Sequence, residues 1–276
     1  MQTPTIKPID VSYKENPAIS GVSSHFHNSY EMIYIVEGAA QCTVADKTYT
    51  VTGHSLLFLN HFESHELIAK RAPYRRYLVL IRPDFLHNAL VQVELSTIFK
   101  NRPHHFNPVI KLNQSDYAVF DDLFKQLNDA AASDAPFNET MLASQLTIIL
   151  ILLYRRYKLH FPLTLTGGSA KTVLDVQKYI EDHAQEPLTL AAVAKKFCIE
   201  RCYLSHQFTK ITGFTFKDHI IRQRISQARN LLFYSDKPIT TVGLDAGFNN
   251  VNHFIRIFKE IEGVTPYQYR KRFREQ

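Results

Sequence analysis

Four side chains in the first quarter of the chain have the types and spacing to hold a cation. His25 and His27 are two apart, so on a strand both imidazoles would point to one face. Glu31 adds a carboxylate and His65 a distant third imidazole. A facial set of such nitrogen and oxygen donors suits Fe, Mn or Zn, with oxygenase or isomerase chemistry in prospect. Two other readings fit the same residues: they could line a polar pocket for a small molecule, or fix strand ends. The pocket reading is carried forward, with no cofactor and no stoichiometric metal expected. Arg75, Arg76 and Arg82 could meet an anionic or hydroxylated ligand, but three arginines in one strand region more often make surface salt bridges. His54 and His61 fall in turn regions and are expected to face solvent.

A second set of chemical groups lies near the other end. The last third of the chain repeats itself. Leu190, Val193, Ala194, Cys198 and Ile199 recur as Ile239, Val242, Gly243, Gly247 and Phe248, at an offset of 49. Leu204, Phe208, Ile211, Gly213 and Thr215 recur as Phe254, Phe258, Ile261, Gly263 and Thr265, at an offset of 50. The extra residue falls where a turn would be. Each copy reads as a helix-turn-helix: a small residue for close approach, a turn four residues on, apolar anchors on the second helix, and a closing glycine. Thr265-Pro266 predicts a capped final helix, with Thr at the N-cap and Pro at N1.

If each second helix packs inward through its apolar anchors, with Tyr203, Leu204 and Phe208 doing so in the first copy, the opposite face is fixed. It presents Arg201, Cys202, Ser205, His206 and Thr209 in the first copy. In the second it presents Asn250, Val251, Asn252, His253 and Arg256. Arg256 could bond guanine O6 and N7 together, and Asn252 could do the same for adenine. Lys195, Lys210, Lys259 and Arg270 are candidates for phosphate contacts. A connecting helix from Phe216 to Phe233 would span about 27 Å and could hold two reading helices near the ~34 Å pitch of the duplex.

Charge agrees with this division. The chain has 276 residues and a formal net charge of +6. Residues 1–169 carry 15 basic and 15 acidic side chains, whereas residues 170–276 carry 17 and 11, so the whole excess sits in the second part. That asymmetry suggests an anion-binding domain joined to a neutral one. Three cysteines (Cys42, Cys198, Cys202) make no disulfide framework, and the stretch MQTPTIKPIDVSYKENP has no apolar signal segment, which together predict a cytoplasmic protein. The longest apolar run, Leu146 to Tyr154, is too short for a membrane span. Nucleotide loops of the GxxxxGK[ST] type and GxSxG elbows are absent from the sequence, so common NTPase and hydrolase functions have no support.

The elements that must position these groups are of two kinds. Between residues 22 and 82 short β-branched and aromatic runs alternate with turn residues: Tyr30–Val36 ending at Gly38, then Thr43–Val44, Thr48–Val51, Leu56–Leu59 and Tyr77–Ile81. Close spacing without helical patterns predicts a sandwich or barrel. From Ser115, a candidate N-cap, the period becomes helical through Tyr117, Phe120, Leu123, Phe124 and Leu127. A second helix after Pro136 carries Met141, Leu142, Leu146, Ile149, Leu150 and Leu153, a face wide enough either to pack on the barrel or to form a subunit interface. The stretch FPLTLTGGSAK reads as a linker.

The repeated segment resembles the DNA-binding domain of AraC/XylS transcription regulators. The likeness rests on Arg224, Ala228, Arg229, Leu231 and Leu232; on Gly247, Phe248, Phe254, Arg256, Phe258 and Lys259; and on Gly263, Thr265, Pro266, Tyr269 and Arg270. It departs at Cys198, Glu200 and Gly243, where the family commonly has Gly, Ser and Ala. The N-terminal part is similar to that family's cupin-type half: His25, His27, Glu31 and Gly38 match a first cupin motif, and Gly53 with His65 resembles a second.

The resemblance implies an α+β chain of four parts: a cupin-like barrel over 1–110, a helical dimerisation segment over 111–160, a linker over 161–171 and a double helix-turn-helix domain over 172–276. It implies promoter DNA, RNA polymerase, a second copy of the chain and a small-molecule effector, a carbohydrate in many members, as partners. It implies activation more often than repression. The rivals are a metal-dependent cupin enzyme with an accessory helical domain, and a constitutive DNA-binding protein whose barrel only dimerises.

Overall fold

The run YEMIYIV is apolar at nearly every position because its strand is covered on both faces. In the computed structural model, which describes residues 7–17, 21–25, 27, 29–44, 46–90, 92–102, 106–162 and 168–274, residues up to 162 form one compact unit and those from 168 another. The first unit contains strands β1 (Ile9–Asn16), β2 (Gly21–His25), β3 (Tyr30–Val44), β4 (Lys47–Thr52), β5 (Ser55–Leu59), β6 (His65–Ile81) and β7 (Val109–Lys111). They make one antiparallel sheet in the order β1-β6-β3-β5-β7, with β2 added to β6 and β4 to β3.

Alternation along β3 builds two cores at once. Ile33 and Ile35 join Ala40, Cys42, Val51, Leu57, Leu59 and Tyr74 in one cluster. Met32 and Tyr34 face the other way and join Leu56, Phe58, Val79 and the helices. The helical layer consists of α1 (Pro83–Ala89), α2 (Val93–Lys100), α3 (Tyr117–Ala131) and α4 (Asn138–Arg156).

Gly38 does not end the strand, contrary to the sequence reading. β3 passes through it in a bulge, with shifts of register against β6 between Ile35 and Ala40. Gly38 has φ of +90°, and a Cβ there would lie 2.5 Å from the Pro73 carbonyl oxygen. The first half of β3 pairs with the end of β6, and its second half with the start of β6. Glu31 at one end of β3 thereby comes close to His65, which is registered with Val44 at the other.

One expectation about the helices needs correction, and one open alternative is decided. Ser115 is not an N-cap: a 3₁₀ turn (Gln114–Asp116) precedes α3, and no side chain caps α3. Asp116 instead accepts hydrogen bonds from Arg156 Nη1 (2.5 Å) and Tyr157 Oη (2.5 Å). The wide apolar face of α4 packs within its own unit: Leu142, Leu146, Ile149, Leu150 and Leu153 are buried with Phe120, Phe124 and Leu127 of α3. Only Met141 of the six named residues is exposed; Ile148 is a second exposed apolar side chain of this helix.

The second unit is helical. It contains α5 (Gly168–His183), α6 (Leu190–Lys196), α7 (Arg201–Thr212), α8 (Phe216–Tyr234), α9 (Ile239–Asp245), α10 (Val251–Glu262) and α11 (Pro266–Arg274). α5 begins at Gly168, inside the stretch read as a linker; residues 163–167 of that stretch lie outside the described residues. Two cores share α8. Phe216 and Ile220 join Val176, Ile180, Val193, Leu204 and Phe208, whereas Ile225, Ala228 and Leu232 join Val242, Phe248, Phe254 and Phe258. Among the described residues no helix is long and apolar enough to cross a membrane.

Candidate nucleic-acid interface and histidine cluster

The sequence repeat is a repeat of structure, bond by bond. The Ile199 N–H donates to the Ala194 carbonyl at 2.9 Å, and the equivalent Phe248 N–H donates to the Gly243 carbonyl at 3.0 Å. Gly213 and Gly263 end the second helices at φ of +78° and +74°, where a Cβ would strain the backbone. The Thr215 hydroxyl accepts from Asp218 N, and that of Thr265 from Gln268 N, so both following helices are capped, the last one as the sequence indicates.

The three departures from the family pattern each have a local solution. Glu200 caps α7 with both carboxylate oxygens, accepting from Cys202 N at 2.9 Å and Tyr203 N at 2.7 Å; these bonds hold its carboxyl below the usual range. Cys198 takes the left-handed turn conformation (φ of +54°) that Gly247 takes freely at +93°. Gly243 is required by its neighbour: a Cβ there would fall 2.6 Å from Phe254 Cδ1. In the first copy the equivalent positions hold Ala194 and the smaller Leu204, buried in one core, so the larger ring goes with the smaller residue. Gly243→Ala is therefore expected to destabilise the unit by about 1–3 kcal/mol despite alanine's better helix propensity. In the Phe254→Leu background that loss should shrink by about 1 kcal/mol or more. Additive losses in chemical denaturation would refute this pairing.

The anchored faces leave the opposite ones in solvent. Arg201, Cys202, Ser205, His206, Thr209 and Lys210 are all exposed on α7. Together with Thr189, Leu190 and Ala191 at the start of α6 they line a groove of about 940 Å³. The α6 contribution was not read from the sequence, where those positions looked like an ordinary helix start. Tyr203, expected to pack inward, is 45% exposed and extends the polar face, because Leu204 and Phe208 already fill the inner side.

On α10, Asn252, His253, Arg256 and Lys259 are exposed and Val251 is half-buried, while Phe254 and Phe258 are fully buried. Arg256 has its guanidinium 3.5 Å from Glu260, an exposed pair of the kind that water screens. Asn250 is exposed and caps α10, its Oδ1 accepting the His253 N–H at 2.9 Å. Arg270 likewise donates to the Lys237 carbonyl at 2.7 Å, which fixes α11 to the loop before α9. Lys195 is exposed on α6. Arg224 serves packing within the unit: its guanidinium bonds the Ala184 and Glu186 carbonyls at 2.6 and 2.8 Å.

In the first unit the four polar residues picked from the sequence come together. His25 ends β2 opposite His65 at the start of β6, with ring centroids 4.4 Å apart. His27 lies beyond the strand, not on it; the Phe62 N–H holds its carbonyl at 2.9 Å. Its Nε2 is 2.9 Å from Glu31 Oε2, and His65 Nε2 is 3.1 Å from the same oxygen. Burial would raise the Glu31 carboxyl, but the two imidazoles overcome this and hold it down to about 2. Burial works against protonation of His65, and the Glu31 carboxylate more than offsets it, so its pKa is raised.

Other expectations fare differently. Arg75 pairs with Glu37 and Glu15, and Arg82 with Asp84, as surface ion pairs, whereas the half-buried Arg76 bonds Asn16 and lies over the Tyr74 ring at 4.6 Å. His54 and His61 are not simply solvated: His54 stacks on Tyr117 at 3.7 Å, and His61 meets the Tyr30 ring edge-on at 4.7 Å. All three cysteines are free thiols.

Residues 12–147 match the family model described as an AraC-like ligand binding domain, and residues 193–272 match a helix-turn-helix domain. The chain is 32% identical to the arabinose operon regulatory protein of Escherichia coli over 157 residues, which are 55% of this chain and 51% of that protein. The alignment thus spans about half the length of that relative. It is 26% identical to the transcriptional activator RhaS of E. coli over 259 residues, 90% of this chain and 87% of RhaS. Among solved structures it is similar to ToxT from Vibrio cholerae, with a TM-score of 0.59 at 15% identity over 96% of this chain and 98% of that one. At that identity the likeness concerns the fold.

Proposed function

Because the chain belongs to the AraC/XylS family of transcription regulators, we propose that it is a cytoplasmic, sequence-specific DNA-binding activator controlled by a small molecule. The observation that carries this reading is the tandem pair of helix-turn-helix units whose second helices bury Leu204 and Phe208, and Phe254 and Phe258, and present polar and basic faces to solvent. Arg201, Cys202, Ser205, His206, Asn252, His253 and Arg256 read base edges, and Lys195, Lys210 and Lys259 hold phosphates. The two reading helices differ in sequence, so one subunit takes an asymmetric site.

The sheet-rich unit receives the effector, with His25, His27, Glu31 and His65 lining its polar end. A carbohydrate suits such a set of donors and acceptors, and the similar E. coli protein named for the arabinose operon supports that class. The chain dimerises through the exposed apolar side chains of α4, Met141 and Ile148, and recruits RNA polymerase at the promoter. Relatives are regulators and the reading assigns no turnover.

The test is to titrate the full chain onto DNA from upstream of its own and neighbouring genes, across a range of salt and with a panel of sugars. Log K is expected to fall linearly with log salt, with a slope of several charges, and one sugar should change the affinity. Salt-independent or absent binding to all such fragments would contradict the reading.

A further inference from the structure

We propose that Lys14 and Arg76 bind the acid group of the effector, that the Tyr74 hydroxyl donates to a further oxygen of it, and that the effector is accordingly a sugar acid. This rests on the reading that the sheet-rich unit receives a small molecule. The first argument is register. β1 pairs with β6 so that Lys14 stands directly opposite Arg76, and Asn16 opposite Tyr74. Residues paired across an antiparallel ladder project to one face, so the two cations are neighbours, and like charges so placed destabilise a sheet. The next pair along, Glu15 opposite Arg75, lies on the other face and is complementary, closing an ion pair at 3.2 Å. One charged pair of this ladder is satisfied from within the chain; the other calls for an anion from outside.

The second argument is what Arg76 is given and what it lacks. Its Nη1 donates to the neutral Asn16 Oδ1 at 2.6 Å, and its guanidinium lies 4.6 Å over the Tyr74 ring. Asn16 takes one of five N–H donors. Among the described residues neither Arg76 nor Lys14 makes an ion pair. Arg102, also half-buried, is by contrast matched to both carboxylate oxygens of Glu63 at 2.9–3.2 Å. A guanidinium binds a carboxylate through two parallel bonds, and stacking on an aromatic face orients its plane beforehand.

The third argument is the Tyr74 hydroxyl. Tyr74 is 2% exposed in the cluster that contains Ile35 and Cys42, and its Oη has no hydrogen-bond partner. Buried polar atoms without partners are few in folded proteins, and each marks a place for a missing one. Burial, opposed by Arg76 and assisted by Cys42 and Glu31, pushes this hydroxyl up, so it stays protonated and donates. The Glu31 carboxylate is already engaged by His27 and His65. Ammonium, guanidinium and phenol all donate, so the molecule that fits them carries a carboxylate and further acceptor oxygens, as a hexuronate does. Lys14 is exposed on β1, the edge strand of the sheet, which gives access from solvent.

The competing arrangement has two cations screened by water and salt. The experiment titrates the full-length protein by calorimetry with D-galacturonate and D-glucuronate, each beside its neutral parent sugar and that sugar's 6-phosphate. One uronate is expected to bind at least about tenfold tighter than its parent, as hydrogen bonds to charged groups allow. Lys14→Glu sets a carboxylate opposite Arg76, as Glu15 stands opposite Arg75. It should raise the melting temperature of the ligand-free protein and weaken uronate binding by about tenfold or more. Tyr74→Phe removes only the unpartnered hydroxyl. It should weaken uronate binding by about threefold or more without lowering the ligand-free melting temperature. Folding of each variant is checked by circular dichroism. A neutral sugar bound as tightly as its acid, or an unchanged uronate affinity in Lys14→Glu, would overturn the subsite and leave the effector reading standing. A 6-phosphate bound in place of the uronate would overturn the assignment to a carboxylate. Binding of no compound, acidic or neutral, would overturn the subsite and contradict the effector reading with it.

Discussion

Leu150→Lys is expected to unfold the N-terminal unit, whereas Ile148→Lys is expected to leave it folded and monomeric. Leu150 is fully buried among the side chains of α3, α4 and the sheet. Losing its packing alone costs about 2–5 kcal/mol, and the lysine adds an ammonium ion with no partner in an apolar core. The sum is comparable to the whole stability of a domain, about 5–15 kcal/mol. Ile148 is two residues away on the helix and 47% exposed, so a lysine there reaches water in the monomer. It becomes costly only if a second copy covers the α4 surface. Circular dichroism with sedimentation separates the cases. A folded, dimeric Ile148→Lys protein would refute the interface, and a well-folded Leu150→Lys protein would contradict the placing of α4 in the core.

Phe258→Ala is expected to destabilise the C-terminal unit by about 3–5 kcal/mol. Its ring is fully buried, 5.6 Å from the Phe254 ring and 5.5 Å from that of Tyr269. It therefore joins α10 to α11 in the core below α8. Lys259, the next residue, is exposed. Lys259→Ala should leave the melting curve unchanged, weaken binding to all DNA alike, and lower the salt slope by about one. A Phe258→Ala protein as stable as wild type would remove the basis for separating anchoring from reading on this helix.

Local periodicity made the C-terminal unit legible. The two offsets located both turns, and the inserted residue lies where the loop from α9 to α10 is longer than that from α6 to α7. What could not be read were choices that depend on a distant partner. Arg270 has the chemistry of a nucleic-acid contact, and it also bonds the Lys237 carbonyl 33 residues away. Gly243 read only as a departure from the family's alanine, because the Phe254 ring that requires it is eleven residues away. In the N-terminal unit, the alternation of YEMIYIV concealed a strand that continues through Gly38, since only the close approach of the Arg71 and Pro73 carbonyls makes that glycine a bulge and not an end. The histidine set was visible by type and spacing. The anchoring of its Nδ1 atoms by the Ser29 and Glu63 backbone carbonyls was not.

The central claim is that α10 reads bases with the face opposite its phenylalanines, and Arg256 tests it most directly. Sites bound by the full chain would first be selected from a pool of randomised duplexes. Binding isotherms for wild type and Arg256→Ala would then be measured on the selected site and on each single-base substitution of it. Arg256 is exposed and outside both cores, so the melting temperature should not change. The variant should lose about 1–3 kcal/mol on the selected site and lose its preference at one base pair, a guanine, while binding non-specific DNA nearly as wild type does. An equal loss of affinity for selected and non-specific DNA, with every base preference retained, would make Arg256 a phosphate contact and contradict the assignment of the reading face.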